Sequence, residues 1–155
     1  MNTITLGKTG LKPHRNGFGA LPIQRADKTE ATRILRRALD AGINFYDTAR
    51  MYTDSEAKIG EAFSGQRQRV ILATKTRGLT PEAVADDLHT SLKDLKTDYI
   101  DIYQLHWAAQ AYRPDDGTGL YEAMLAAKEA GKIRCIGITA HNADVALEAA
   151  ASGLY

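Results

Sequence analysis

Hydrophobic and polar positions follow two patterns along the chain: short apolar runs and longer segments with helical spacing. The apolar runs are NGFG, INFY, VILAT, YIDIYQL and IRCIGI, at residues 16–19, 43–46, 70–74, 99–105 and 133–138. Between them, apolar residues recur at the spacing of one helix face, which predicts amphipathic helices. Apolar strands that alternate with amphipathic helices are typical of a parallel sheet built from βαβ units.

The ends of the predicted helices carry capping residues. Asp27 with Glu30 resembles a capping box at the start of one helix, and Thr80 followed by Pro81 marks the start of another. Two further helices are predicted in the second half of the chain: residues 118–130 and 143–152. A glycine just past a helix supplies the left-handed backbone that closes its last turn. Three glycines stand in such places: Gly42, Gly131 and Gly153.

The order of these elements predicts an α/β fold, a partial TIM (β/α)8 barrel of about five βα units. The opening segment NTITLGKTGLKPH predicts an N-terminal β-hairpin that turns at Gly7 to Gly10. A complete barrel takes about 250 residues, whereas this chain has 155 and reaches Leu154 and Tyr155 where a further strand is due. We therefore expect residues 1–155 to form a single incomplete barrel domain, from a fragment or a truncated product.

Composition and charge exclude several classes of protein. The chain is 44% hydrophobic and 25% charged with a formal net charge of +1, so it lacks the concentrated basic charge that nucleic-acid or membrane-surface binding needs. It has no apolar run of about 18 residues and no apolar N-terminal block, so we expect neither a transmembrane helix nor a signal peptide. The single cysteine, Cys135, is expected to be a small buried residue in a cytoplasmic protein.

Four residues with chemical potential lie at the carboxyl ends of the predicted strands. Asp47 follows INFY, Lys75 follows VILAT and His106 follows YIDIYQL, while Tyr52 lies in the loop after Asp47. In a parallel α/β barrel all βα loops gather at that face, where the active site forms. Because these strands are successive, we expect the four side chains to meet.

A carboxylate, a phenol, an ammonium and an imidazole together can deliver a proton. A phenol has a pKa of about 10 in isolation, and a nearby Lys75 ammonium is expected to lower the pKa of Tyr52. Asp47 would keep Lys75 charged and oriented, and His106 would orient a carbonyl oxygen or share the proton. This set suits reduction of a carbonyl, in which hydride arriving at carbon requires a proton at oxygen.

Each of these residues also has a purely structural interpretation. Asp47 is at a common position for a turn or helix-cap residue, and Lys75 alone would be a solvated charge. Tyr52 alone would line a pocket, and His106 alone would be a hydrogen-bonded structural histidine. The coincidence of all four at strand ends favours the chemical interpretation.

Five segments of the chain together resemble the aldo-keto reductase family. They occur in the family's order: GFGAL (17–21), DAGINFYDTARMY (40–52), ATKT (73–76), YIDIYQLHW (99–107) and GKIRCIGI (131–138). The resemblance implies an eight-unit barrel with a hairpin at its bottom and a nicotinamide cofactor, NADPH, across its top. It also implies that Tyr52 donates the proton and that Asp47, Lys75 and His106 assist it.

The resemblance further implies cofactor and substrate contacts. Asp47 and the backbone near Gly19 and Ala20 would contact the nicotinamide side of the cofactor, and Trp107 would help to line the substrate pocket. From the residues alone, Gly17 and Gly19 either permit close approach of a cofactor or only fit a tight first strand.

The sequence departs from the family pattern in two places. Many members carry a Ser-Asn pair after the fifth strand, which holds the nicotinamide amide. Here Thr139 can replace the serine hydroxyl, but Ala140 cannot replace the asparagine. His141 either contributes instead or simply precedes a helix cap at Asn142. The strands six to eight, with which the family grips the adenosine phosphate, are not in this sequence.

Three hypotheses follow for function. The first is an NADP(H)-dependent oxidoreductase that reduces a small aldehyde or ketone to the alcohol. The second is a non-catalytic half-barrel, a binding or scaffold fragment that self-associates through its open edge. The third is another α/β enzyme, such as an aldolase with Lys75 as a Schiff-base lysine, which the neighbouring Tyr52 and Asp47 disfavour. The long segment 108–119 either covers the site or is a solvated loop.

Overall fold

Five parallel strands form one sheet in the computed structural model, which describes residues 2–155. The strands lie side by side in chain order: β1 Phe18–Gly19, β2 Phe45–Asp47, β3 Ile71–Thr76, β4 Ile100–Leu105 and β5 Ile133–Ile138. This confirms the predicted α/β class and the partial barrel of five βα units.

A helix follows each strand except the first, which is followed by a 3-10 turn and then a helix. The helices are α1 Lys28–Asp40, α2 Ser55–Ala62, α3 Pro81–Asp94, α4 Leu120–Glu129 and α5 Ala143–Ser152, with 3-10 turns at Leu21–Arg25 and Arg67–Arg69. In the residues described, no helix combines the length and the apolar character that crossing a bilayer would require.

The helix starts form largely as their sequences predict. The Asp27 side chain accepts a hydrogen bond from the Glu30 amide at 2.8 Å, and Thr80 accepts one from the Ala83 amide at 3.2 Å. The Glu30 carboxylate does not reach back to complete a capping box, because both of its oxygens accept from Arg33. Past the helices, Gly42, Gly131 and Gly153 have the predicted positive φ, at 94°, 70° and 69°.

The N-terminal segment folds back on itself, as predicted, but pairs only loosely. The Ile4 amide donates to the Pro13 carbonyl at 2.9 Å and the Leu6 amide to the Leu11 carbonyl at 3.0 Å. Among residues 2–155 the single bridge in this segment joins Thr3 and His14. With the Arg15 amide also donating to the Asn2 carbonyl at 2.7 Å, the segment forms the predicted hairpin, with one bridge rather than a continuous ladder.

The core lies between the sheet and the helices and fixes the positions of the strand ends. Leu35 of α1, Ile59 of α2 and Met124 of α4 are fully buried, and burial of each such side chain stabilises the fold by about 1.5–3 kcal/mol. Tyr46 of β2 faces α1, where its hydroxyl donates to the Leu35 carbonyl at 3.1 Å. Since successive strand residues point to opposite faces, Asp47 then points to the other side of the sheet.

That other side is a groove of about 430 Å³. Its lining comes from four strands, the hairpin tip and the C-terminal residue: Leu6, Gly7, Lys8, Thr9, Phe45, Asp47, Ala73, Ile102, Gln104, Cys135, Ile136 and Tyr155. Cys135 is half-buried there rather than enclosed in the core, and burial raises the pKa of its thiol. The sheet ends laterally at β1 and β5, which pair on one side only in the described chain.

The long connection between β4 and α4 packs onto the protein. Ala108, Ala111 and Tyr112 are buried, and the Tyr112 carbonyl accepts from the Tyr155 hydroxyl at 2.5 Å. Farther along, Arg113 pairs with Glu148 of α5 at 2.6 Å. The connection is therefore packed at Ala108, Ala111 and Tyr112 beside the ends of β4 and β5, whereas residues 109–110, 113–115 and 117 are exposed, so it is solvated only in part.

Candidate active site

The register of the sheet brings the ends of β2, β3 and β4 together. Asp47 of β2 lies opposite Ala73 of β3, and Lys75 of β3 lies opposite Gln104 of β4. Two residues past Gln104, the His106 amide donates to the Thr76 carbonyl at 2.9 Å. The strand ends that the sequence marks as chemically active are therefore adjacent.

Two oxygen atoms hold the Lys75 ammonium at a position with almost no contact with solvent. Its side chain is buried, and its Nζ donates to Asp47 Oδ2 at 2.6 Å and to the Thr48 carbonyl at 2.6 Å. The other oxygen of Asp47 accepts a longer hydrogen bond from Gln104 Nε2, at 3.4 Å. A buried ammonium requires such partners, and they fix the direction of Lys75.

Tyr52 and His106 complete the group. Lys75 Nζ lies 5.6 Å from the centre of the Tyr52 ring, and the Tyr52 and His106 ring centres are 6.0 Å apart in an edge-to-face arrangement. Tyr52 follows a turn in which its amide donates to the Ala49 carbonyl at 2.9 Å. The structure thus brings Asp47, Tyr52, Lys75 and His106 to one place.

The pKa of Tyr52 shifts in the direction opposite to the one expected from sequence. Partial burial, and to a smaller extent the negative charge of Asp47, raise the pKa of the Tyr52 phenol. The expectation that Lys75 would lower this pKa is wrong in its net direction, because burial first and the charge of Asp47 second both disfavour the phenolate. Tyr52 therefore retains its proton at neutral pH.

His106 is neutral at physiological pH. Burial and the positive charges of Lys75 and Arg77 lower its pKa to about 4, since both effects disfavour the imidazolium. Its Nδ1 is buried and has no hydrogen-bond partner among residues 2–155. A neutral imidazole offers one N–H donor and one acceptor nitrogen, which suits orientation of a polar ligand group.

A buried ionic network braces the loop that carries Tyr52. Arg50 donates to Glu56 of α2 and, at 2.8 Å, to Asp94 at the end of α3. Glu56 is almost fully buried, and its Oε1 accepts from Thr74 of β3 at 2.6 Å; burial raises the pKa of this carboxyl above its usual range. This network was not predicted from the sequence, although the charged residues Arg50 and Glu56 on either side of Tyr52 were a signal.

Gln104 is a second residue that sequence reasoning missed. It borders the groove with Asp47 and donates to that carboxylate. It lies in β4 two residues before His106, which directly follows the strand, and this spacing was a signal available in the sequence.

The end of β1 shows which glycine leaves room for a ligand. A Cβ at Gly17 would lie 2.9 Å from Phe45 Cδ1, whereas a Cβ at Gly19 would meet nothing within 4 Å. Gly17 is therefore explained by packing, and Gly19 leaves an open strand end. Ala20 is fully buried, and its amide donates to the Asp47 carbonyl while its carbonyl accepts from Ser55. Of the two residues predicted to contact the cofactor through their backbone, Gly19 is therefore the accessible one.

Thr139 and Trp107 are joined at the far side of the site. Thr139 Oγ1 accepts from the Trp107 amide at 3.1 Å, so the hydroxyl proton stays available to a ligand. Trp107 has a positive φ of 57° and is 46% exposed, with its ring centre 5.4 Å from those of both His106 and His141. Asn142 caps α5 as predicted, through the Asp144 amide at 2.8 Å.

Comparison with known sequences gives a consistent match over nearly the whole chain. A sequence model described as the Aldo/keto reductase family matches residues 10–154. The aldo-keto reductase YhdN of Bacillus subtilis is 35% identical over 161 residues, a match that covers 90% of this chain and 47% of that protein.

Comparison with solved structures gives the same result. The holo form of aldo-keto reductase AKR11C1 from Bacillus halodurans has a TM-score of 0.83 and 34% identity, covering 96% of this chain and 53% of that one. An aldo/keto reductase from Klebsiella pneumoniae in complex with NADP and acetate has a TM-score of 0.79 and 30% identity, covering 93% of this chain and 51% of that one. The chain spans about half the length of these relatives.

Proposed function

This chain belongs to the aldo/keto reductase family, and from that premise we propose that it serves the NADPH-dependent reduction of an aldehyde or ketone to the alcohol, with Tyr52 as general acid. The observation that carries the proposal is the convergence of Asp47, Tyr52, Lys75 and His106 at adjacent strand ends. The proposed substrate is a small-molecule carbonyl compound.

Bound NADPH would supply the hydride. Tyr52 holds its proton at neutral pH because its pKa is raised, and it donates that proton to the carbonyl oxygen as negative charge develops there. The phenolate that remains is stabilised by the nearby Lys75 ammonium. Asp47 keeps that ammonium in place through the 2.6 Å hydrogen bond.

His106 positions the carbonyl group in this proposal. As a neutral imidazole it donates its one N–H to the carbonyl oxygen, and its lowered pKa keeps it from competing with Tyr52 as the acid. Of the two roles left open by the sequence, orienting the oxygen and sharing the proton, the neutral state favours the first.

The residues present suit the nicotinamide end of the cofactor. The open end of β1 at Gly19, the Asp47 carboxylate and the Thr139 hydroxyl are the groups we propose to hold it. NADPH rather than NADH is part of the proposal, supported by the NADP complex of the Klebsiella pneumoniae relative.

The proposal is tested by Tyr52→Phe, measured as NADPH oxidation with an aldehyde. We expect turnover to fall by about a hundredfold or more, the usual contribution of a general acid, because only the donated proton is lost. NADPH affinity should stay near the unmodified value. Tyr99→Phe is the matched control, since Tyr99 stacks on Arg67 and Arg134 at the start of β4. Near-normal turnover in Tyr52→Phe would show that the acid is another group.

The open sheet supports a second candidate function, a half-barrel that binds a further copy of itself. β1 and β5 each have one unpaired side in the described chain, and unpaired strand edges readily pair with another chain. The two candidates differ in one measurement, since a self-associating scaffold without catalysis would not oxidise NADPH in the presence of an aldehyde.

A further inference from the structure

A small cavity of about 180 Å³ adjoins the candidate site at the ends of β3 and β4. Its lining combines polar and apolar surface in nearly equal parts and includes Thr76, Arg77, Leu105, His106, Trp107 and Tyr112. No carboxylate contributes to this lining, and Arg77 is the permanent positive charge in it. The mechanism described above uses His106 from this set and leaves Arg77 without a role.

The Arg77 guanidinium is held by an aromatic contact but is not paired with an acidic side chain in the described part of the chain. Its Cζ lies 4.6 Å from the centre of the Trp107 ring, a cation–π contact that orients the guanidinium plane. Within residues 2–155 no acidic group lies at ion-pairing distance from Arg77. By contrast, Arg67 and Arg134, which stack on Tyr99, each donate to Asp101 at 2.6 and 2.9 Å.

The unpaired guanidinium is close to the reacting position. The Trp107 ring contacts both Arg77 and His106, with 5.4 Å between the Trp107 and His106 ring centres. The charge of Arg77 acts at His106, where it contributes to the lowered pKa. Arg77 and His106, the residue proposed to orient the carbonyl group, therefore share Trp107 as a neighbour.

We propose that Arg77 binds the carboxylate of the substrate, so that the preferred substrates are small aldehydes or ketones that carry a carboxylate group. The guanidinium presents paired N–H donors that match both oxygens of a carboxylate. Arg77 is exposed at the rim of the cavity, so a carboxylate can reach its guanidinium from solvent. The substrate class rests on the proposed reductase function, whereas the anion site stands on the geometry of Arg77 and Trp107 alone.

Trp107 reports directly on this site because it is the only tryptophan in the chain. Its fluorescence is measured during titration with benzoate and with benzamide, which has nearly the same shape but no charge. We expect benzoate to bind about tenfold more tightly than benzamide, as one charge-assisted contact allows. Equal affinity for the two probes would overturn the proposal.

Substitutions separate Arg77 from other positive groups. In Arg77→Met the preference for benzoate is expected to disappear, and in Arg77→Lys to be only partly kept, because lysine retains the charge but not the paired donors. Arg33→Met, on the exposed face of α1, is the charge-matched control and should keep the full preference. If Arg77→Met kept it and Tyr52→Phe lost it, the carboxylate would sit on Tyr52 and the proposal would be wrong.

A turnover experiment tests the substrate class separately from the reductase function. Succinic semialdehyde is compared with its neutral methyl ester, and Arg77→Met should lower kcat/KM about tenfold for the first and little for the second. An equal loss for both compounds would contradict the inference. If the chain reduces neither compound but binds benzoate through Arg77, the anion site stands and the reductase proposal fails.

Discussion

At the scale of single residues, the site depends on how burial changes each side chain. The Lys75 side chain is buried, and its ammonium donates hydrogen bonds to Asp47 and to the Thr48 carbonyl. Tyr52 is partly buried, and this burial, followed by the negative charge of Asp47, keeps the pKa of its phenol raised. Burial, and after it the charges of Lys75 and Arg77, lower the pKa of His106 and leave it neutral. Tyr52 and His106 are therefore both neutral beside the hydrogen-bonded Lys75 ammonium, each for a local reason.

The lowered pKa of His106 predicts a pH dependence of stability. The folded state holds the imidazole at a pKa of about 4, below its usual value of 6.5, so below pH 6.5 the unfolded chain binds more protons. The free energy of unfolding should therefore fall as the pH drops from about 7 towards 4. Lys75, Arg77, Asp47 and His141 act on this group and remain in place in the variant below.

The measurement is the urea midpoint at several pH values for the unmodified chain and for His106→Gln. We expect the variant to lose part of the decrease in midpoint between pH 7 and pH 4, because glutamine cannot be protonated in this range. His89→Gln, at an exposed position on α3, should keep the full decrease. Identical pH profiles for all three proteins would contradict a neutral, buried His106.

At the scale of elements, the loop between β2 and α2 is held by groups far apart in sequence. Arg50 of the loop bonds Glu56 of α2 and Asp94 of α3, and Glu56 bonds Thr74 of β3. These contacts tie the loop that carries Tyr52 to two helices and a strand. They explain why a short connection rich in polar residues can hold a phenol in a fixed place.

Removal of this brace should loosen the loop. Arg50→Ala leaves Glu56 buried without its cation, and we expect a loss of about 2 kcal/mol in the free energy of unfolding. Amide hydrogen exchange over residues 48–56 should become faster than over α1. Arg33→Ala, which breaks the exposed pair with Glu30, should leave both measurements unchanged. Unaltered exchange in Arg50→Ala would mean that packing alone fixes the loop.

At the scale of the whole molecule, one sheet with two open edges carries the site. The central strand β3 pairs on both sides, whereas β1 and β5 each pair on one. The groove on the free side of the sheet is bordered by Asp47, the hairpin tip and Tyr155. We propose that residues 1–155 act as a single incomplete barrel domain that unfolds in one cooperative transition.

The open edges predict self-association that depends on protein concentration. We expect sedimentation velocity to show dimers at higher concentration, because an unpaired edge offers backbone donors and acceptors to a second copy. Ile138→Lys, at the end of β5, should weaken this association, and Leu147→Lys, at a 68% exposed position on α5, should not. Circular dichroism verifies that both variants fold. A monomer at every concentration would count against the second candidate function.

Much of the fold was predictable because it depends on local spacing. The helix stripes, the caps at Asp27 and Thr80 and the glycines that end helices are found as the sequence predicts. All five predicted strands form, although β1 is confined to Phe18–Gly19 and β2 to Phe45–Asp47. Two of the predicted local features form only in part. The capping box stays half-formed because Arg33 takes the Glu30 carboxylate, and the hairpin makes only one bridge.

For the site, the sequence by itself determined which chemical groups stand at the strand ends, because strand period and chain order fix the positions of Asp47, Lys75 and His106. Only the tertiary structure decided their electrostatic state, since burial and charged neighbours come from residues distant in sequence. It raised the pKa of Tyr52 against expectation and left Arg77 stacked on Trp107 without an acidic partner. Alternation along a strand is a local property, whereas the partner of a charge depends on how the whole chain packs.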